Sequence, residues 1–473
     1  MVVRWAGAGV CLAFLVSGCL GAGPPGTSDQ TTDASEPRVA HVVVAIIDSG
    51  INPYHRQFRD DSPEAYRHPS TYLPGYPVNA TALRLSLNET DLQTAIQKDC
   101  AILESVAANQ WFWVPGTRIV GILLDEAFAR EPVKCGPGER FQRVFDLVTA
   151  HGTGVAGRAA GADTSLCPTC KIVMHQAGQT TSSMHRIAKE PWIDLQSNSW
   201  AGYVHHQLPG NEGRGPHRLA RLATERMVTF AASGNGERVR VDGPVDIEQD
   251  FFTGIPPHLR PAQGHAGVIV VGAHDNGQVI LWPGTMPHVV ADGWNTPTAN
   301  QSSIATNRTM GGTSGATPFA AGVFARMVLE ARTILKDSRT GLRDGSLAVA
   351  GPGATVPATG PLADGILSRE EAESLYRASA AARPAEDLPF DGKLGCPPTN
   401  PCFTVSRGSD TMIQWSTVPE QVPAYYFIGY GQVGTRSLAT SLRVLRGETP
   451  VPVRSDVDAF FDADTLIRRT LQE

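Results

Sequence analysis

Three short segments, far apart in the chain, each place a side chain that can take part in catalysis among glycines. They contain Asp48 in Asp-Ser-Gly, His151 in His-Gly-Thr-Gly and Ser314 in Gly-Gly-Thr-Ser-Gly-Ala-Thr-Pro. A serine hydroxyl becomes a nucleophile for acyl transfer when a histidine takes its proton and an acid holds that histidine in one tautomer. Singly, these residues could be a turn aspartate, a packing histidine and a helix N-cap serine. Together, in the order acid, base and nucleophile, they predict a catalytic triad.

The elements that would position these side chains can be predicted from the hydrophobic pattern. Continuous runs of β-branched and apolar residues predict strands buried on both faces of a parallel sheet, at 42–47, 118–124, 171–175, 227–232 and 267–272. Helical patterns follow at 153–160, 217–226, 317–335 and 369–378. Strands that alternate with helices imply an open α/β sheet covered on both faces. Functional side chains collect at the carboxyl ends of such strands, and Asp48 directly follows the first run.

The three segments, in this order, resemble the subtilisin-like serine peptidases (subtilases). Two further segments extend the resemblance. Phe-Ala-Ala-Ser-Gly-Asn-Gly at 230–236 is similar to the family's strand and loop whose asparagine donates to the oxyanion, which makes Asn235 the matching residue. Gln-Ser-Asn-Ser-Trp-Ala-Gly at 196–202 is similar to the edge strand that pairs with substrate backbone. The resemblance covers residues 41–335 well, and 367–378 with 429–445 more loosely.

The resemblance implies a three-layer α/β sandwich with a mostly parallel central sheet, and a serine endopeptidase acting on proteins or peptides. Asp48 would orient His151, His151 would take the proton of Ser314, and Asn235 with the Ser314 backbone N–H would hold the oxyanion. It also implies a primary specificity pocket flanked by Ser199, Trp200, Ala201, Ala232, Ser233 and Gly234. No cofactor is expected for catalysis. Many relatives hold structural calcium, but the sequence offers no clear ligand set.

The sequence departs from the family's pattern at several places. Gly154 stands where a second histidine is usual, and Gly315 follows the proposed nucleophile where methionine or alanine is common. Trp200 replaces a smaller residue, and it could narrow the pocket, lie beside the substrate or simply pack. An insertion at about 53–117 lengthens the path from Asp48 to His151. It could wall the cleft, bind a partner or decorate the sheet edge. Only 22 residues (41 − 19) separate Cys19 from Val42, so no folded prosegment is expected there.

The N-terminal segment is predicted to be an export signal. Arg4 precedes an apolar stretch from Trp5 to Val16, and Val-Ser-Gly-Cys then ends at Cys19, which looks like the lipobox of bacterial lipoproteins. Residues 1–18 would be removed, Cys19 would carry lipid and residues 19–40 would form a flexible tether. The expected location is extracytoplasmic, as a membrane-anchored cell-envelope lipoprotein. The alternative is an ordinary secretory signal and a secreted protein.

Composition sets further limits. The chain has 473 residues, 41% of them hydrophobic and 18% charged, and a formal net charge of −6 without a basic run, so a nucleic-acid partner is not expected. The peptidase domain is predicted at 41–447, with a loop-rich region at about 337–406 and a C-terminal appendage at 448–473. Oligomeric state is left open by the sequence.

Six cysteines would remain after the signal and Cys19. Their even number in an exported chain argues for disulfides, which local proximity would pair as Cys100–Cys135, Cys167–Cys170 and Cys396–Cys402. A redox pair or half of a zinc site is the alternative for Cys167 and Cys170.

Two other functions compete with a peptidase. The chain could be a subtilase-fold binding protein without turnover, although such a protein has no need of Asp48, His151, Ser314 and Asn235 together. It could also be a serine esterase. The residues around Ser314 are not the Gly-x-Ser-x-Gly elbow of α/β-hydrolases, and the order of acid and base differs.

Overall fold

A computed structural model describes most of the chain beyond residue 39. The described residues are 40–130, 132–137, 144, 151–177, 181–200, 219, 222–233, 239–241, 268–275, 278–280, 287–342, 356–365, 367–381, 404–407, 411–414 and 429–453. They all belong to one compact unit, Arg38–Glu473; the other unit, Met1–Pro37, lies outside them. Among the helices described, none combines the length and apolar character that crossing a bilayer requires.

The described strands are numbered in chain order. They are β1 (Val43–Asp48), β2 (Thr81–Ala82), β3 (Phe112–Trp113), β4 (Ile119–Leu124), β5 (Lys171–Gln176), β6 (Leu195–Asn198), β7 (Val228–Ala232), β8 (Val239–Val241), β9 (Val268–Asp275), β10 (Gln278–Ile280), β11 (Val289–Asp292), β12 (Thr296–Ala299), β13 (Asn307–Met310), β14 (Thr404–Arg407), β15 (Thr411–Gln414) and β16 (Gln432–Val433). The helices are α1 (Leu92–Lys98), α2 (Cys100–Glu104), α3 (Glu126–Ala129), α4 (His151–Ala160), α5 (Thr181–Ile187), α6 (Thr313–Leu335), α7 (Arg369–Ala378) and α8 (Thr435–Leu445).

One large sheet dominates the described part of the chain, with strand order β16-β11-β9-β7-β6-β1-β5-β4-β3-β2 and β10 paired to β9. Neighbouring strands from β16 to β4 run parallel, and only β3 against β4 and β10 against β9 are antiparallel. Five of these strands, β1, β4, β5, β7 and β9, follow the predicted apolar runs to within a few residues. The prediction of an α/β fold with a mostly parallel sheet is therefore confirmed.

The first strand shows how the sheet is covered on both faces. Side chains of a strand alternate between the faces. Val44 and Ile46 join a hydrophobic core that includes α4 and α6, whereas Ala45 and Ile47 join a second core that includes α5. Because every residue of β1 is buried, a continuous apolar run was the right signal for this strand.

The insertion after β1 extends one edge of the sheet. Its strands β2 and β3 add beyond β4, and three short 3-10 helices (Arg56–Phe58, Pro63–Tyr66 and Pro69–Thr71) precede them. A disulfide joins Cys100 in α2 to Cys135, as predicted. Of the alternatives that the sequence left open, this placement corresponds to decoration of the sheet edge.

Strand β6 corrects one expectation. The sequence predicted an edge strand for residues 196–202, but β6 lies inside the sheet, with β1 on one side and β7 on the other. Its backbone groups are therefore engaged on both sides. Among the described residues, Ser199 and Trp200 follow β6 and lie beyond this strand pairing.

Candidate active site

Asp48 and His151 meet where the first strand ends and helix α4 begins. Asp48 is the last residue of β1 and His151 is the first residue of α4. Nδ1 of His151 lies 2.9 Å from Oδ1 and 2.8 Å from Oδ2 of Asp48. A carboxylate only accepts hydrogen bonds, so Nδ1 carries the proton in this contact and Nε2 is left as the basic nitrogen. The Asp48 side chain is fully buried, whereas His151 keeps 29% of its side chain exposed.

The electrostatics of the pair favour a charged imidazole. Burial opposes protonation of His151, but the negative charge of Asp48 and its hydrogen bond outweigh burial and raise the pKa of the imidazole above its ordinary value. The charge of Arg308 acts in the opposite direction. The net result is a histidine suited to accept a proton and to be stabilised as imidazolium.

Gly152 lets α4 approach the end of β1 closely. A Cβ atom at this position would lie 2.3 Å from the carbonyl oxygen of Gly50 and 3.2 Å from Cβ of Asp48, so no larger residue fits without movement. The Gly152 amide also donates to Oγ of Ser49, at 3.1 Å. This packing fixes the distance between His151 and Asp48.

Ser314 is the second residue of α6, so its predicted position at a helix N-terminus is confirmed. The helix begins earlier than predicted. The sequence placed the start at Thr317, whereas α6 begins at Thr313 after Gly312, whose φ of 92° favours glycine. Pro318 therefore lies in the second turn of the helix. It has no N–H to donate to the carbonyl of Ser314, four residues earlier.

The Ser314 hydroxyl donates to the carbonyl oxygen of Ser199, 3.0 Å away. Ser199 directly follows β6, and Asp48 ends the neighbouring strand β1, whose Ile46 is in register with Ser197 of β6. Ser314, His151 and Asp48 therefore lie at the carboxyl edge of adjacent strands. The Ser314 hydroxyl thus bonds to Ser199 and not to His151 in this structure.

Arg158 connects the two helices that carry His151 and Ser314, and sequence reasoning missed it. It is buried in α4, and its Nε donates to the carbonyl of Gly315 at 3.5 Å, while Nη2 donates to the carbonyl of Asp292 at 2.9 Å. Its guanidinium also lies 4.3 Å from the centre of the Phe319 ring. A lone arginine within a helix of small residues was the signal that could have pointed to it.

Arg308 is a second residue whose place beside the site the sequence did not predict. A Cβ atom on Gly154 would lie 3.2 Å from Nη2 of Arg308, 3.2 Å from Sδ of Met310 and 3.3 Å from Cγ2 of Thr298. The hairpin of β12 and β13 thus fills the space beside Gly154. The glycine that departs from the family pattern is explained by this packing.

The residues predicted to flank a specificity pocket fall into two groups. Ser199, Ala232 and Ser233 are buried at the ends of β6 and β7. Trp200 is only 6% exposed, and its indole N–H donates to the carbonyl of Ile47 at 3.2 Å, which corresponds to the packing alternative. The other two pocket residues, Ala201 and Gly234, lie outside the described residues, as does the oxyanion candidate Asn235.

A second disulfide joins Cys167 to Cys170, again as predicted. Cys19, Cys396 and Cys402 lie outside the described residues. Within the described ranges, no group of three or more His, Cys, Asp or Glu side chains could hold a metal ion.

Comparison with known proteins defines the class of the chain. The model of the subtilase family (Peptidase_S8) matches residues 40–340, and the chain belongs to this family. Its enzyme class is that of a subtilisin-like serine endopeptidase. No curated protein matches the chain.

Among solved structures, three similar ones are proteases. The prenylagaramide maturation protease PagA has 13% identity over 87% of this chain and 94% of its own, with a TM-score of 0.40. A cold-adapted subtilisin-like serine proteinase has 16% identity over 63% of this chain and 80% of its own, with a TM-score of 0.35. The epidermin leader peptide processing serine protease of Staphylococcus aureus has 15% identity over 86% of this chain and 76% of its own, with a TM-score of 0.42.

Proposed function

We propose that the protein hydrolyses peptide bonds by acyl transfer through Ser314, His151 and Asp48. The observation that carries this proposal is the contact of His151 Nδ1 with both oxygens of the buried Asp48. This contact directs Nε2, the basic nitrogen, away from Asp48. The Ser314 hydroxyl, at the start of α6 and at the same sheet edge, is the nucleophile that this base would serve.

The first step needs a change of hydrogen-bond partner at Ser314. Its hydroxyl leaves the Ser199 carbonyl and turns toward His151, which takes the proton as Oγ attacks the scissile carbonyl. Asp48 stabilises the imidazolium that forms. His151 then returns the proton to the leaving amine, and a water molecule deacylates Ser314 by the same route.

The negative charge of the tetrahedral intermediate needs donors. The Ser314 backbone N–H is one, because amides in the first turn of a helix have no intrahelical acceptor. Asn235 is proposed as the second, from its match to the family pattern. Loss of one such donor costs about 10²–10³ in turnover.

A fluorophosphonate probe tests the nucleophile. The folded wild-type protein should form one adduct at Ser314, and Ser314→Ala should abolish both the adduct and peptide cleavage, with a loss on the order of 10⁶-fold in turnover. Ser302→Ala, an exposed serine on the hairpin loop, is the matched control and should label normally. A folded wild type that forms no adduct would instead be a binding protein without turnover. Hydrolysis of simple esters without cleavage of casein or peptides would favour an esterase.

We further propose that the enzyme is exported and lipid-anchored, with residues 1–18 as signal, Cys19 as the lipidated residue, 19–40 as tether, 41–447 as the peptidase domain and 448–473 as an appendage. Its partners would be protein or peptide substrates and a membrane, without nucleic acid, and catalysis would need no cofactor. Replacing Cys19 by alanine should move the protein from the membrane fraction to a soluble one and abolish labelling by a fatty-acid analogue. An ordinary secretory signal would leave the wild type unlabelled.

A further inference from the structure

Trp294 is a large aromatic side chain that stays exposed beside the proposed nucleophile. It lies in the turn between β11 and β12, and 42% of its surface is exposed. A Cβ atom on Gly311 would lie 3.4 Å from Cε3 and 3.6 Å from Cζ3 of its indole. Gly311 precedes Ser314 by three residues, so the exposed ring borders the turn that presents the hydroxyl.

The backbone of the turn that carries this ring packs closely on the start of α6. A Cβ atom on the preceding residue, Gly293, would lie 2.6 Å from the carbonyl oxygen of Gly312 and 2.8 Å from Cβ of Ala316, so this turn packs directly on the start of α6. The Gly293 amide also donates to the carbonyl of His274 at 3.1 Å. Asn295, which follows Trp294, has a φ of 50°, a conformation that sharpens the turn.

Trp294 and the residue that follows β6 contact different parts of the segment 311–314. Ser199, at the end of β6, accepts from the Ser314 hydroxyl. Trp294 instead leads into the hairpin of β12 and β13, which packs on α4, where Thr298 Oγ1 donates to the carbonyl of Gly154. For a peptide that pairs with the residues after β6 up to its scissile bond, Gly311 and Trp294 are available to the segment beyond that bond.

We propose that Trp294 contacts the leaving-group half of the substrate and selects an apolar or aromatic residue within the first positions after the scissile bond. An exposed indole gains by covering its apolar surface, and aromatic pairs add a geometric preference. This inference rests on the proposed function, because it takes Ser314 as the point of cleavage.

Three fluorogenic substrates with the same acyl half test the proposal. Two are peptides that carry Phe or Gly after the scissile bond, and the third has only an aminocoumarin as leaving group. Trp294→Ala should lower kcat/KM for the Phe peptide about tenfold relative to the Gly peptide, a typical effect of losing one apolar pocket contact. Hydrolysis of the aminocoumarin substrate should stay within about twofold of wild type, and Trp294→Phe should restore most of the preference.

Partition of the acyl-enzyme between water and added amines gives a second readout. Phe-amide should compete better than Gly-amide in the wild type, and Trp294→Ala should remove that advantage. Equal losses on all substrates would assign Trp294 a structural role and overturn the proposal, as would an unchanged Phe-to-Gly ratio. A wild type without turnover and without a fluorophosphonate adduct would instead overturn the proposed function, and this inference with it.

Discussion

The guanidinium of Arg308 occupies the space beside Gly154 in which a second histidine is usual in subtilases, 3.2 Å from where a Cβ atom of residue 154 would lie. In the described structure Nε of Arg308 is buried without a hydrogen-bond partner, whereas the side chain as a whole is partly buried. The charge of this guanidinium lowers the pKa of His151, against the raising effect of Asp48. The hairpin therefore adjusts the proposed base as well as supporting α4.

We expect kcat/KM to rise with pH through a midpoint above 6.5, because His151 must lose its proton to act as a base and its pKa is raised. Arg308→Gln should move this midpoint to higher pH and lower activity at neutral pH, with little change at alkaline pH. The measurement is a pH profile on one fluorogenic peptide. Arg443→Gln, on α8 with 60% of the arginine side chain exposed, is the control and should not move the midpoint.

The raised pKa of His151 also affects stability. As pH rises, kcat/KM should increase, whereas the contribution of this group to stability should decrease. A group whose pKa is higher in the folded state stabilises the fold fully below its unfolded pKa, and this contribution is lost as pH rises through the folded pKa. We therefore expect the free energy of unfolding of wild type, relative to Asp48→Asn, to fall as pH increases above 6.5. Urea unfolding across this window measures it, and a constant difference would contradict the electrostatic account of the pair.

Asp48→Asn should also lower kcat/KM by about 10⁴-fold, because an amide can donate to His151 and stabilise the wrong tautomer. Fluorophosphonate labelling of Ser314 should slow in parallel, while circular dichroism stays that of the wild type. A loss below about tenfold would mean that another group orients His151.

The positions of β1, β4, β5, β7 and β9 could be predicted because these strands are buried and follow largely apolar runs of the sequence. Asp48 could be placed for the same reason, since a polar residue that ends such a run must lie at the sheet edge. The contacts of Arg158, Arg308 and Trp294 could not be predicted. They arise where the helices α4 and α6 meet the hairpin of β12 and β13, and single-sequence periodicity carries no information on such packing.

The start of α6 was predicted too late for a related reason. Proline is favoured in the first turn of a helix, so Pro318 predicted a helix start at Thr317. In the structure the helix tolerates Pro318 one turn later, and Thr317 Oγ1 donates to the carbonyl of Thr313 at 2.8 Å. The packing of α6 in the core outweighs the local cost of the proline.

Substitution by alanine should have different effects at two glycines beside the site. At Gly152 the new Cβ would lie 2.3 Å from a backbone carbonyl oxygen, so α4 must shift and carry His151 with it. A displacement of about 1 Å costs on the order of 10² in rate, which we expect in kcat/KM for Gly152→Ala. At Gly315 the nearest atom would lie 3.6 Å away, and Gly315→Ala should fold and label like wild type. Similar kinetics for the two variants would contradict the packing argument.

The two described disulfides should differ in their contribution to stability. Cys100–Cys135 closes a loop with a sequence separation of 35, and Cys167–Cys170 one with a separation of 3. Loop-closure entropy predicts about 4 kcal/mol for the first and about 2 kcal/mol for the second. Urea unfolding of the two double-alanine variants under non-reducing conditions compares them, and a larger loss for the short loop would rule out the entropic account.

The far end of α6 is held by a buried ion pair that should matter for the fold and not for the chemistry. Arg332 Nη2 donates to Oδ1 of Asp194 at 2.5 Å, and Oδ2 of Asp194 accepts from the Val43 amide at 2.8 Å. The side chains of Asp194 and Arg332 are 0% and 6% exposed, so removal of one partner leaves an unpaired buried charge.

Asp194→Ala should therefore lower the free energy of unfolding by about 3–5 kcal/mol. Glu126→Ala is the matched control, because it breaks the exposed pair of Arg130 and Glu126 and should cost less than about 1 kcal/mol. Since Asp194 lies at the amino end of β6, opposite Ser314, the Asp194→Ala protein that remains folded at low temperature should keep the pH profile of wild type. A shifted pH profile would mean that the ion pair affects the proposed site through α6. An equal loss of unfolding free energy in both variants would mean that burial does not determine the strength of an ion pair.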